Sequence, residues 1–212
     1  MHKYVIMGAQ GCGKGTQAKL LEQKLDVVHI SVGDIFRWNI QNHTKLAALV
    51  KRVIGRGQLV SDDIVEEIVQ HRLDAHDWNY GFILDGFPRN ATQAAFFLES
   101  YDIDAVIHIA ISDEVVRRRV LARRLCPQCG LDYNLIYHRP EAEDTCDVCG
   151  GQLITRSDDT EQALNDRLRD YRTKTEPVID LFRRKELVID VEGEQSPAEL
   201  HAEILRHLGV ES

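Results

Sequence analysis

GAQGCGKGT, residues 8–16, follows the short β-rich run Lys3–Met7 and precedes a helical pattern over Lys14–Lys24. It matches G-x-x-x-x-G-K with a hydroxyl residue close behind, except that Gly15 stands directly after Lys14 and Thr16 comes one later. Glycines let backbone amides turn inward on phosphate oxygens, the helix that follows adds its positive N-terminus, and Lys14 can reach a transferring group. Strand, glycine loop and helix in this order are the context the motif requires, which outweighs a chance glycine turn.

Outward from this loop the same alternation continues. The β-run Val27–Ile30 ends at SVGD, where Ser31 and Asp34 are candidate caps for a helix through Ile35, Phe36 and Ile40. Residues 45–72 read as two helices split at Ile54–Gln58, and Phe82–Leu84, Ala105–Ala110 and Leu187–Val191 read as further buried strands. Strands alternating with helices predict an α/β fold: a five-stranded parallel sheet covered on both faces, with ligands at the carboxyl ends of its strands. The stretch 125–157 breaks the pattern, being rich in Cys, Pro, Gly and Tyr without a long helical period, and reads as an insert.

At 212 residues and 24.2 kDa the chain is long enough to bury a core without disulfides, and reads as one domain with inserts. A formal net charge of −8 and a pI near 5.6 argue against a nucleic-acid or membrane-surface binder, which neutralises phosphates with a basic face. No apolar run approaches the roughly 20 residues of a membrane span, so a cytoplasmic protein is expected.

Four of the five cysteines form two knuckles, LCPQCG at 125–130 and TCDVCGG at 145–151. Cys126, Cys129, Cys146 and Cys149 therefore have the spacing of a four-thiolate metal cage. Four sulfurs leave no open coordination position, which points to a structural ion, zinc by default with iron or cobalt chemically possible. His138 lies between the pairs, but the two knuckles already supply four ligands. Cys12 sits far away among the loop's amides, where bulky modification is expected to block a nucleotide.

From GKGT onward the chain resembles the nucleoside monophosphate kinases, and with DGFPR it is similar to adenylate kinases of the bacterial long-lid type. The resemblance rests on GAQGCGKGT at 8–16, SVGDIFR at 31–37, GQLV at 57–60, DGFPR at 85–89, ARRLCPQCG at 122–130, TRSDD at 155–159 and NDRLRDY at 165–171. It implies a P-loop nucleoside triphosphate hydrolase-like fold. The expected parts are a core at 1–29, 61–121 and 160–212, a helical AMP-binding insert at 30–60, and a metal-binding lid at 122–159.

The resemblance also implies site residues. Ser31, Arg37, Gln58, Leu59, Val60, Gly86, Phe87, Pro88, Arg89 and Gln93 would line the AMP site. Gly11, Cys12, Gly13, Lys14, Gly15, Thr16, Arg123, Asp132 and Tyr133, with the backbone at Gln195, would contact ATP. Arg156 and Arg167 match the arginines that close over the reacting phosphates.

Phosphoryl transfer spreads negative charge over the migrating group, so its catalysis is mostly alignment and electrostatics. An AMP phosphate is already ionised near neutral pH, which suits a set of Lys14, Arg37, Arg89, Arg123, Arg156 and Arg167 without an evident general base. Asp85, at the end of the apolar run Phe82–Leu84, would orient Mg²⁺ through water together with the Thr16 hydroxyl. Asp158 and Asp159 are read two ways, as partners of the lid arginines or as helix caps. The expected reaction is ATP + AMP = 2 ADP in a monomer with no nucleic-acid or membrane partner. Two rivals are a sister kinase using UMP, CMP or GTP, and a non-catalytic zinc-ribbon binding module.

Overall fold

The computed structural model describes residues 2–77, 80–156 and 158–210; the expected boundaries at Met1, Ser157 and Ser212 fall outside them. The chain runs β1 (His2–Gly8), α1 (Lys14–Leu25), β2 (Val28–Ser31), α2 (Val32–Gln41), α3 (Lys45–Gly55), α4 (Asp62–Asp74), β3 (Gly81–Asp85), α5 (Ala91–Ser100), β4 (Ala105–Ala110) and α6 (Asp113–Leu121). A small antiparallel hairpin, β5 (Arg123–Leu125) and β6 (Asp132–Asn134), opens the cysteine-rich segment. After it come α7 (Glu161–Asp170), a π-helical turn (Tyr171–Thr175), α8 (Glu176–Arg184), β7 (Val188–Glu192) and α9 (Pro197–His207).

The main sheet has five parallel strands in the order β2-β3-β1-β4-β7. From β1 the chain builds one side of the sheet, then crosses to the other, so the glycine loop after β1 lies where the winding reverses. In open parallel sheets that crevice, beyond the carboxyl ends, is where ligands sit. The register makes it specific: Ile6 and Ser31 both pair with Asp85, so the loop, the end of β2 and Asp85 share one rim.

Side chains alternate faces along each strand, and the sequence uses that period to load both. Val5 and Met7 of β1 with Phe82 and Leu84 of β3 join a cluster with Phe97 of α5 and Phe182 of α8. Tyr4, Ile6 and Ile83 face the other way, against Leu21 of α1 and Ile204 of α9. A third cluster joins Val116 and Val120 of α6 to Leu164 and Leu168 of α7 around Ala9 of the loop. Burial of this kind contributes about 1.5–3 kcal/mol per large apolar side chain.

Local signals set the helix ends. Ser31 caps α2, its Oγ accepting from the Asp34 amide at 3.2 Å. Asp34 is not a cap: it lies inside the first turn and its carboxylate takes Arg37. The π turn has a covalent reason. Pro177 lacks an N–H and its ring crowds the carbonyl four residues back, so the helix widens just before it, and the Glu176 amide reaches five residues back to the Tyr171 carbonyl.

Candidate active site

A cavity of about 580 Å³ opens along the carboxyl rim and runs from the glycine loop to the hairpin. Every residue expected at a nucleotide or Mg²⁺ site lines it.

The loop's shape depends on glycine. Gly8 has φ 145°, and a Cβ there would meet the Ile109 carbonyl oxygen at 2.5 Å. Gly13, at the N-cap of α1, has φ 109°, which only glycine adopts freely. Lys14 Nζ donates to the Gly8 and Ala9 carbonyls at 2.9 and 2.8 Å, so its ammonium is held across the mouth of the loop. Cys12 is fully buried beneath it, its Sγ 3.7 Å from that ammonium.

Beside the loop, Asp85 Oδ2 lies 3.8 Å from where a Cβ on Gly15 would be. Thr16 is exposed on the same cavity. One carboxylate with one hydroxyl suits Mg²⁺, which keeps most of its waters and takes phosphate oxygens. His29 of β2 reaches towards Asp85 at 3.9 Å, short of a hydrogen bond.

On the α2–α3 side, Val60 is buried while Gln58 is exposed and Leu59 lies between. Arg89 lies deep in the cleft. Its backbone N–H donates to Gln93 Oε1 at 2.8 Å and its Nε to the Gly86 carbonyl at 2.8 Å. Gln93 is 1% exposed and also donates to Asp62 at 2.7 Å, which leaves it one N–H and one lone pair for a ligand. Burial pushes the Arg89 guanidinium pKa down and the charges of Arg167 and Arg37 push it further, while Asp85 pulls the other way. Among the described residues no carboxylate lies within ion-pair distance of it.

The other arginines do have partners. Arg37 pairs with Asp34, Arg123 with Asp159, Arg167 with Asp158, and Arg156 with Asp132 at 2.6 Å. Burial works against the charge of Asp34 and of Asp158, yet Arg37 and Arg167 hold both carboxyls below the usual range. Burial, then repulsion from Arg123 and Arg37, lowers Arg156 against the pull of Asp132. Asp158 and Asp159 thus act as partners and not as caps, since Thr160 caps α7 with its Oγ1 3.2 Å from the Ala163 amide. Gln10 adds a link by donating to Asp159 at 3.0 Å, joining the glycine loop to the foot of the lid.

Arg119 is a cavity residue that sequence reasoning missed. It is 8% exposed on α6, donates to the Cys12 carbonyl at 3.4 Å and to Tyr137 at 3.3 Å, and lies 5.0 Å from the Tyr137 ring centre. Its one available signal was position: it closes the Arg117–Arg119 run, four residues before Arg123.

In the lid, the four knuckle sulfurs lie within 4.8 Å of one another, with Cys126–Cys149 at 3.3 Å and Cys129–Cys146 at 3.5 Å. A tetrahedral site with metal–sulfur bonds of about 2.3 Å has sulfur–sulfur edges of roughly 3.8 Å, so the cluster is compatible with a structural metal. His138 is outside it, stacked on Tyr133 with ring centres 4.9 Å apart. Tyr133 itself points into the lid: its hydroxyl donates to Cys146 Sγ at 3.5 Å and accepts from the Asp147 amide at 2.8 Å. Gln195 lines the cavity, and its side-chain amide donates to the Glu192 carbonyl at 2.8 Å and to Glu203.

The chain was compared with known proteins. Residues 6–187 match the family model for adenylate kinase. The adenylate kinase of Caldicellulosiruptor bescii is 42% identical over 214 residues, covering 99% of this chain and 100% of that protein. Those of Methanocella arvoryzae and Acetivibrio thermocellus are 41% and 40% identical, each covering at least 95% of both chains. With these matches over nearly its full length, the chain belongs to the adenylate kinase family, whose reaction is reversible phosphoryl transfer from MgATP to AMP.

Proposed function

We propose that the cavity carries out this transfer by clamping two nucleotides end to end, with each expected residue in the role its position supports. The chain is an adenylate kinase, binding ATP, AMP and ADP. In our reading the AMP phosphate lies between Arg37 and Arg89, with its base against Gln58–Val60 and Gln93. ATP lies on Gly11–Thr16, under Arg123 and the hairpin, with Gln195 at the far edge. Lys14 follows the moving phosphoryl group and Arg156 and Arg167 converge on it.

The observation that carries this reading is Arg89, a guanidinium deep in the cleft beside Arg167 and Arg37 that has no carboxylate within ion-pair distance among the described residues. An anion is what such a group lacks, and a phosphate between Arg89, Arg37 and Arg167 supplies one. Mg²⁺, when bound, neutralises phosphate oxygens and aligns them, and Asp85 and Thr16 are the groups that would hold its water shell. The cysteine cage we assign to zinc, which shapes the lid without touching substrate. Since one chain contains the whole cavity, a monomer suffices. The described residues contain no helix long and apolar enough to cross a membrane, and we place the protein in the cytoplasm.

The test is ADP formation with MgATP and each of AMP, CMP, UMP and GMP, for the parent and for Lys14→Ala and Arg167→Lys. Turnover with AMP alone is expected, falling about 10²–10³-fold in Lys14→Ala, the usual cost of a lost charge-stabilising group. Preference for another monophosphate would overturn the acceptor, and full activity in both variants would overturn the assigned roles.

A further inference from the structure

The hydrogen bonds around His108 are not used by the reaction as described above. His108 is on β4, 9% exposed, directly in register with Asp190 of β7, so their side chains leave the sheet on one face. Its Nδ1 lies 2.6 Å from Asp190 Oδ1, and its Nε2 lies 3.0 Å from the Tyr171 hydroxyl. Arg183 of α8 fixes the carboxylate from outside, donating to Oδ1 at 2.6 Å and to Oδ2 at 3.2 Å. A carboxylate on Nδ1 keeps the proton there, which leaves Nε2 to accept from the phenol.

Tyr171 is the first residue of the π turn and stands four residues after Arg167, on the same helical face. The turn's last residue, Thr175, donates its hydroxyl to the Arg89 carbonyl at 2.9 Å. The π turn is therefore fixed to the sheet at one end and to the Arg89 backbone at the other, with Arg167 one helical turn upstream. π turns recur where a helix must be aimed, because they shift the phase of everything beyond them.

We propose that His108 and Tyr171 form a strut that holds the π turn in place and so sets the alignment of Arg167 and Arg89 for phosphoryl transfer. Both are positioning residues, and neither needs to touch a nucleotide. The proposal rests on the roles given to Arg89 and Arg167 above.

Single-turnover ADP formation at saturating MgATP and AMP tests it. Tyr171→Phe, which removes one oxygen, and His108→Leu are each expected to slow transfer about tenfold, within what a misplacement of under 1 Å costs. Nucleotide KM should stay within about twofold, since alignment and not uniform binding is lost. The double variant should be no slower than the slower single one, because both cut the same link. His108→Gln, whose amide oxygen can take the place of Nε2, should restore most of the rate.

A parental rate in fully folded Tyr171→Phe would overturn the strut, as would multiplicative losses in the double variant. If His108→Leu does not fold, Tyr171→Phe and His108→Gln decide. Loss in Arg167→Lys without loss in Tyr171→Phe refutes the strut alone, while unchanged transfer in both refutes the arginine roles on which it depends.

Discussion

The sheet core and the cysteine lid solve the same problem with different means. In the core, apolar side chains on two sheet faces meet helices that cover them, and Phe97 alone touches Phe82, Phe87 and Tyr101 with ring centres 5.5–6.4 Å apart. In the lid the buried cluster is Cys126, Tyr133, Cys146 and Leu153, so half of what would be core is thiol. So small a segment cannot hide enough apolar surface to offset its ordering entropy. A coordinated ion can make up the difference where side-chain area cannot, and the lid can then stay thin and separate from the core.

Stripping the proposed lid zinc should have the largest effect. Structural zinc in isolated zinc-finger peptides is worth about 10–16 kcal/mol. Chelated protein, or Cys146→Ser with Cys149→Ser, should lose the lid's unfolding transition in calorimetry while keeping the core's. Native mass spectrometry should show one metal lost per chain. A core that melted together with the lid would break the comparison.

Phe97→Ala should do the reverse. It is expected to lower stability by about 3–5 kcal/mol, roughly a 10 °C drop in midpoint for a chain of this size. The proposed lid metal should remain, and its loss at ambient temperature would show that the two regions are coupled.

The smallest expected effect is a pH limb. Asp34 and Asp158 have carboxyl pKa values below their ordinary ones, so the unfolded chain binds those protons first as pH falls. Their stabilisation is complete above the ordinary carboxylate pKa of about 4, and disappears as pH falls through the lower folded values. Core stability should thus fall off below about pH 4, and less steeply in Asp158→Asn, as denaturant midpoints across that range would show.

These tests also separate what was legible in the chain from what was not. The five strands could be read because each is a short apolar run ending in a turn; Ala105–Ala110 was read to the residue and β1 to within one at each end. The glycine loop could be read because its backbone needs are written as residue types. The two knuckles were equally plain, since ligand spacing is local.

Pairings between distant residues were not legible. Nothing near Asp159 in sequence announces Arg123, and nothing near Asp158 distinguishes a cap from an ion pair until Thr160 is seen to fill the cap. Asp34 was misread as a cap because its position in SVGD suits one, whereas the helix is already capped by Ser31, which takes the Asp34 amide, and the Asp34 carboxylate goes to Arg37. Arg119 was hidden in a run of arginines that reads as solvated surface. The strand order and the π turn likewise depend on contacts that no short window contains.

The carboxylates that hold the cleft's arginines bear on how it fills and empties. Asp34, Asp132, Asp158 and Asp159 already occupy cations that an incoming phosphate would want. In the proposed reading, binding there would trade one anion for another, so affinity would reflect a difference between two pairings and not the full strength of either. As a product leaves, the same carboxylates can reclaim those four arginines, which leaves Arg89 in the cleft without an ion pair among the described residues. A cleft built on exchange can hold a highly charged ligand firmly and still let it go.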